Sequence, residues 1–239
     1  MKANQRFIQL IHSSTSGAAV RMSQQQNAEQ GAVHIFAAEF DSSLSPWNRP
    51  AQEYLRMTNE LFTKVDGLAT GNIVFNEEGK VLVIQRATSD SMPNRWEIPG
   101  GGVDDEDLTV LEGAARELWE EAGLVAKRFK HVVTEGPDQK PGQVYPNSTH
   151  TKTWYRFTFD VQVKSCEHVK LDPKEHQAFV WATEDEIRDQ LIGDRQHPIT
   201  NKYMQALILE AFRLRKEAGE TGETAPGGKE SVSEYVAKY

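Results

Sequence analysis

The stretch Arg116-Glu117-Leu118-Trp119-Glu120-Glu121-Ala122-Gly123-Leu124 sets three carboxylates within five residues and then stops on a glycine. On a helix each residue turns by about 100°, so Glu117, Glu120 and Glu121 stand at i, i+3 and i+4 and share one face. Like charges at that spacing cost about 0.2–0.5 kcal/mol per pair. The arrangement therefore calls for a cation, and hard carboxylate oxygens suit Mg2+ or Mn2+. A bare E-x-x-E-E pattern is ordinarily a solvated helix face, because Glu is a good helix former. Its neighbours decide the matter.

Upstream, Trp96-Glu97-Ile98-Pro99-Gly100-Gly101-Gly102-Val103 reads as a short apolar strand that breaks into three glycines. Such a run lets the backbone approach a ligand closely, so a carbonyl of Gly101 or Gly102 could reach the same metal as Glu117, Glu120 and Glu121. The opposite side of the helix carries Leu111, Ala115, Leu118 and Ala122 at helical spacing and is expected to lie on a core, with Gly123 as the stop. Glycine loop, acidic helix and glycine stop read as one unit.

From Gly101 or Gly102 to Leu124 this unit resembles the Nudix box, the loop-helix-loop signature of hydrolases that cleave nucleoside diphosphates linked to another moiety. Arg116, Glu117, Glu120, Glu121 and Gly123 match it position by position. The first glutamate of the box has no match. Counting back from Arg116 places it on Leu108, and counting forward from Gly101 places it on Asp107. In the family that glutamate ties the loop to the helix, so Asp107 or Glu106 is expected to replace it after a one-residue shift.

The resemblance implies a Nudix-type α/β/α sandwich with a mixed β-sheet and a Mg2+ or Mn2+ cofactor. The ligands it implies are Glu117, Glu120, Glu121 and a carbonyl of Gly101 or Gly102. It gives Glu120 a catalytic part as a box glutamate able to activate water. Glu175, which with His176 resembles a Glu-His pair that many members carry before a late strand, is the other base. Arg116 shares a helix with the carboxylates, and its planar fork is suited to orienting one of them. Arg86, at the end of a strand beside the box loop, is expected to pair with phosphate, a surface salt bridge being the plainer alternative. Trp96 could stack on a base, or simply pack. Tyr145 and Trp154 are further aromatic candidates.

With 239 residues, 38% hydrophobic and 26% charged, the chain has the composition of an ordinary globular protein of one large domain or two small ones. A net charge of −8 disfavours generic binding to nucleic-acid polymers or anionic membranes. It leaves room for a nucleotide-sized anion, because a metal and local arginines set the sign at a site. No apolar run approaches the roughly 20 residues that span a bilayer. The single cysteine, Cys166, excludes an internal disulfide and fits a reducing compartment, so a cytoplasmic location is expected. The first 28 residues hold Lys2, Arg6 and Arg21 and no acid before Glu29, a composition shared by mitochondrial transit peptides and plain disordered tails.

The expected organisation is a disordered or targeting-like tail over 1–31 and an extension over 32–67 that packs on the core. That extension would hold a strand at Ala32–Ala37 and a helix over about 52–65, and it is suited to swapping between two copies in a homodimer. The Nudix domain follows over 68–218, then a flexible tail over 219–239. Within the domain, Leu68–Phe75 and Val81–Gln85 read as a hairpin, and Val125–Thr134, Thr151–Val163 and Gln177–Ala182 as strands. Helices open at Thr183 and near Asn201, and Glu135–His150 reads as a long exposed loop.

The activity these readings imply is metal-dependent hydrolysis of the pyrophosphate linkage in a nucleoside diphosphate derivative or similar small diphosphate. Two signatures of special subfamilies, those of coenzyme A pyrophosphatases and isopentenyl-diphosphate isomerases, are not recognisable. Hydrolysis of a non-nucleotide diphosphate, such as a prenyl one, would call for an apolar pocket beside the box. A binding or rearrangement protein that ignores the metal site is opposed by the intact Glu117, Glu120 and Glu121.

Overall fold

The strand β7, Thr153–Val163, organises the fold because its two faces differ. Tyr155, Phe157, Phe159 and Val161 lie on one face and Trp154, Arg156, Thr158 and Asp160 on the other, as a period of two requires. The structure, a computed structural model, describes residues 36, 38–61, 65–147 and 149–220. On one edge of β7 lies β2 (Gly67–Ile73), parallel to it. The other edge carries β5 (Ala126–Val133) and β6 (Gln143–Pro146), both antiparallel. The short β1 (Glu39–Phe40) runs parallel to β5 and completes a mixed five-stranded sheet. A second, antiparallel sheet has the order β4 (Trp96–Glu97), β3 (Val81–Arg86), β8 (His176–Ala182). β9 (Leu191–Ile192) and β10 (Arg195–Gln196) form a small hairpin.

Among the described residues, the helices α1 (Ala51–Leu61), α2 (Val110–Ala122), α3 (Glu184–Asp189) and α4 (Lys202–Glu217) cover these strands. The box helix α2 buries Leu111, Ala115, Leu118 and Ala122 and packs on β2 and β5. Thr109 caps its start by accepting from the Glu112 N–H, and Gly123 ends it in the left-handed region at φ 67°. Helix α4 lays Met204, Leu207, Ile208 and Ala211 against Ile73, Val83, Trp96 and Ile98. The result is an α/β/α sandwich. Phe157 and Phe159 are wholly buried at its centre, each contributing about 1.5–3 kcal/mol of burial.

Several local expectations are revised. Leu68–Phe75 and Val81–Gln85 pair only at their turn, with Phe75 opposite Val81, and then enter different sheets. The reason is that β2 already has neighbours on both edges, β7 on one and the glycine loop on the other, where Ala69 faces Gly102. The stretch Glu135–His150 is not all loop: Gln143–Pro146 finds a partner in Thr153–Arg156 and becomes β6. The helix expected over about 52–65 covers Ala51–Leu61.

Of the strand expected at Ala32–Ala37, only Phe36 is described, and it is helical; the rest, with the tails over 1–31 and from 221 onward, lies outside the described residues. The described residues from Ala38 on belong to one compact unit. In it a 3-10 turn, Ser42–Trp47, sets Trp47 edge-on against Phe157 and Phe159 at 5.5 and 6.0 Å. Tyr54 of α1 meets Phe157 at 5.1 Å. No described helix is long and apolar enough to cross a membrane.

Candidate active site

The glycine loop is held as an extra strand along β2. The Asn72 N–H donates to the Pro99 carbonyl at 2.8 Å, the Thr70 N–H to Gly101 at 2.8 Å and the Val103 N–H to Leu68 at 2.9 Å. Asn72 also donates through Nδ2 to the Ala114 carbonyl at 3.0 Å, which ties α2 to the same strand. Loop and helix then come so close that a Cβ at position 101 would lie 2.4 Å from Glu117 Oε2. A side chain there would displace the Glu117 carboxylate.

Arg116 ties the site together from within the helix. Its Nε and Nη2 donate to both oxygens of Asp107 at 3.0 and 2.9 Å, and Nη2 also reaches the Gly102 carbonyl at 2.8 Å. Its Nη1 donates to Glu117 and Glu120, each at 2.8 Å. These bonds, Asp107 foremost, raise the guanidinium above its ordinary value. Asp107 is thus the tie between loop and helix, and the count forward from Gly101 finds it. Leu108, where the count back from Arg116 falls, is 67% exposed. The Gly101 carbonyl is taken by Thr70 and the Gly102 carbonyl by Arg116, which leaves each one lone pair for an ion.

The three box carboxylates divide into two groups. Glu117 and Glu120 share Arg116, whereas Glu121 turns inward, buried, and accepts from the Gly100 N–H at 2.5 Å. Glu121, Glu175 and His176 each bring a ligating atom within 4.8 Å of the others. Burial pushes Glu117 up to about 6 despite Arg116, with Glu120 and Glu175 adding to the push. Burial also drives Glu121 well up against the Gly100 N–H, reinforced by Glu97, Glu117 and Glu175. Beside them, His176 Nδ1 is buried without a hydrogen-bond partner. Crowded, desolvated carboxylates next to an unsatisfied imidazole nitrogen fit a divalent cation, which would neutralise the first and partner the second. Glu121, Glu175 and His176 could hold it with Glu117 and Glu120 alongside, and the excess of oxygen donors favours Mg2+ or Mn2+.

Behind this cluster runs a line of paired charges that the sequence did not announce. Glu97 is buried, pairs with Arg86 and lies 3.4 Å from His176 Nε2. Its signal was an acid inside the apolar Trp96-Glu97-Ile98. Arg86, expected against phosphate, is placed between Glu97 and Asp90, the latter at 2.5 Å. Burial pushes Asp90 up, but bonds from Arg86 and Ser91 overcome it and hold the carboxyl at about 2. Trp96, expected as a platform for a base, is 4% exposed and lies in the core against the His197 ring, centroids 4.7 Å apart. The pleat of β4 explains this: Trp96 and Ile98 go to the core, and Glu97, between them, goes to the site.

Comparison with known proteins identifies the family. The family model of the NUDIX domain matches residues 66–203. The chain is 46% identical over 59 residues to the RNA pyrophosphohydrolase of Bartonella quintana, a match covering 23% of this chain and 34% of that one. It spans about a third of that relative's length. It is 26% identical over 131 residues to the CTP pyrophosphohydrolase of Escherichia coli K12, covering 55% of this chain and 87% of that one. Among solved structures, the MutT protein of Methanosarcina mazei Go1 is similar with a TM-score of 0.47 and 23% identity, over 63% of this chain and 95% of that one. With the domain match covering more than half of its length, the chain belongs to the Nudix family.

Proposed function

We propose that the protein is a divalent-metal-dependent hydrolase that cleaves the pyrophosphate linkage of a nucleoside diphosphate derivative or similar small diphosphate. The observation that carries this reading is the convergence of Glu121, Glu175 and His176 beside the Arg116-held Glu117 and Glu120. A bound divalent ion supplies charge neutralisation at the phosphate oxygens and a more acidic water. The chain's own residues do the positioning. Arg116 fixes Glu117 and Glu120, the Gly100 N–H orients Glu121, and Glu175, exposed at the rim of the cluster, is the proton acceptor in this reading. Water oxygen bonds to one phosphorus, the bridging P–O bond breaks, the bridging oxygen leaves with the second phosphate, and the water proton passes to Glu175.

The similarity to an enzyme named for CTP supports a nucleotide among the substrates. A prenyl substrate is less well supported, since the strand face beside the box loop carries Arg156 and Tyr145. The test is product release from a panel of diphosphates with Mg2+ or Mn2+. Turnover that EDTA abolishes is expected, as is a loss of at least about a hundredfold in Glu121→Gln. Metal-independent turnover, or a fully active Glu121→Gln, would overturn the assignment.

A further inference from the structure

Four half-buried side chains outside the acidic cluster lie on β6, β7 and α4: Tyr145, Trp154, Arg156 and Tyr203. Tyr145 pairs in register with Trp154, and Arg156 follows two residues on, so the three share one face of the sheet. That face is cut back to admit them. A Cβ at Gly67 would lie 2.5 Å from the Trp154 ring, and one at Gly71 would lie 3.1 Å from Arg156 Nη2 and 3.2 Å from Nε. The Trp154 ring also lies 3.8 Å from the Cβ position of Gly102, which places it against the box loop. Burial pushes the Tyr145 and Tyr203 phenols up, the latter to about 12, and the Arg156 charge opposes it at both. Arg86 and Glu97 act on Tyr145 as well, so this group adjoins the charge line behind the acidic cluster.

The telling feature is the Arg156 fork. Its Nε and Nη2 are both buried, and neither has a hydrogen-bond partner. This is the same edge that Arg116 sets against both oxygens of Asp107. A buried donor pair left unmade is costly, and its geometry matches two adjacent acceptors in one plane.

We propose that Arg156 is a specificity residue that reads the base of the substrate, with Trp154 or Tyr145 as the stacking surface. The bases that fit are those presenting two adjacent acceptors, guanine through O6 and N7 or cytosine through O2 and N3. Uracil and adenine offer no such pair on one edge. This rests on the hydrolase reading only in placing the diphosphate at the acidic cluster.

The experiment is calorimetric titration with Mg2+ present, using CMP, GMP, UMP, AMP and, as the base-free reference, ribose 5-phosphate. CMP or GMP is expected to bind about tenfold or more tightly than UMP, AMP and ribose 5-phosphate. Arg156→Lys, which keeps the charge but loses the fork, and Arg156→Gln are both expected to erase that preference, with thermal melts checking that each variant is folded. Equal binding of all five compounds, binding of none, or a preference that survives in Arg156→Lys would overturn the proposal. So would equal weakening of every compound, ribose 5-phosphate included, because that would make Arg156 a phosphate ligand. Diphosphate turnover by the unaltered protein is followed separately, so a failed hydrolase reading is seen as no turnover whatever the base preference.

Discussion

At the scale of single residues, the site is a balance between carboxylates that repel and the few groups that hold them. Glu117 shows the balance most directly, since burial lifts it from 4.5 to about 6 even with Arg116 bonded to it. A folded-state value above the unfolded one means that the protonated form is favoured by folding. The contribution to stability is therefore full below about pH 4.5 and is lost as pH rises through about 6. Glu117→Gln cannot ionise and should escape the loss. In EDTA, its urea-unfolding stability relative to the unaltered protein should rise by about 1–2 kcal/mol between pH 4.5 and 7.5, allowing for solvent screening. Mg2+ should shrink the difference by neutralising Glu117 in the unaltered protein. A difference that stays flat with pH would show that Arg116 alone satisfies this carboxylate.

At the scale of elements, the box helix was legible because every signal for it is local. Gly123 marks its end, and Leu111, Ala115, Leu118 and Ala122 mark its buried side; the Thr109 cap was there to be read as well. The loop before it was less legible, because a pattern counts residues whereas the structure is fixed by a contact. Asp107 meets both Nε and Nη2 of Arg116, and the extra residue is absorbed by Leu108, which turns to solvent. The two positions make a clean comparison. Asp107→Asn should lower kcat/KM by about tenfold to a hundredfold, as loss of a supporting partner in a metal site does. Leu108→Glu, which restores the glutamate at the count-back position, should change kcat/KM little. The reverse ranking would show that the loop is read in the other register.

Partner choice between distant strands was not legible, since alternation says which face is buried and not which neighbour is taken. Thus β6 went unseen until Gln143–Pro146 met Thr153–Arg156, and the hairpin at residues 76–80 gave no hint that its arms enter different sheets. Trp96 and Glu97 were likewise ambiguous, because a two-residue strand is too short to show its period.

At the scale of the whole molecule, the two faces of β7 support different parts of the site. One face carries Tyr155, Phe157 and Phe159 into the contacts made by the 3-10 turn and α1, while the other presents Trp154 and Arg156 beside the box loop. The segment before the matched domain is therefore part of the folding unit rather than an appendage, since Trp47 is 7% exposed and lies against two core phenylalanines. Removing that ring leaves a cavity that Leu44, Phe157 and Phe159, all wholly buried, cannot readily fill. Trp47→Ala should cost about 3–5 kcal/mol in denaturant unfolding. Because the lost contacts lie on the far side of β7 from Arg156, KM per folded molecule should stay close to that of the unaltered protein, measured well below the variant's melting temperature. A large rise in KM with little loss of stability would instead show that the aromatic packing behind β7 sets the position of Trp154 and Arg156, making this segment part of the binding apparatus.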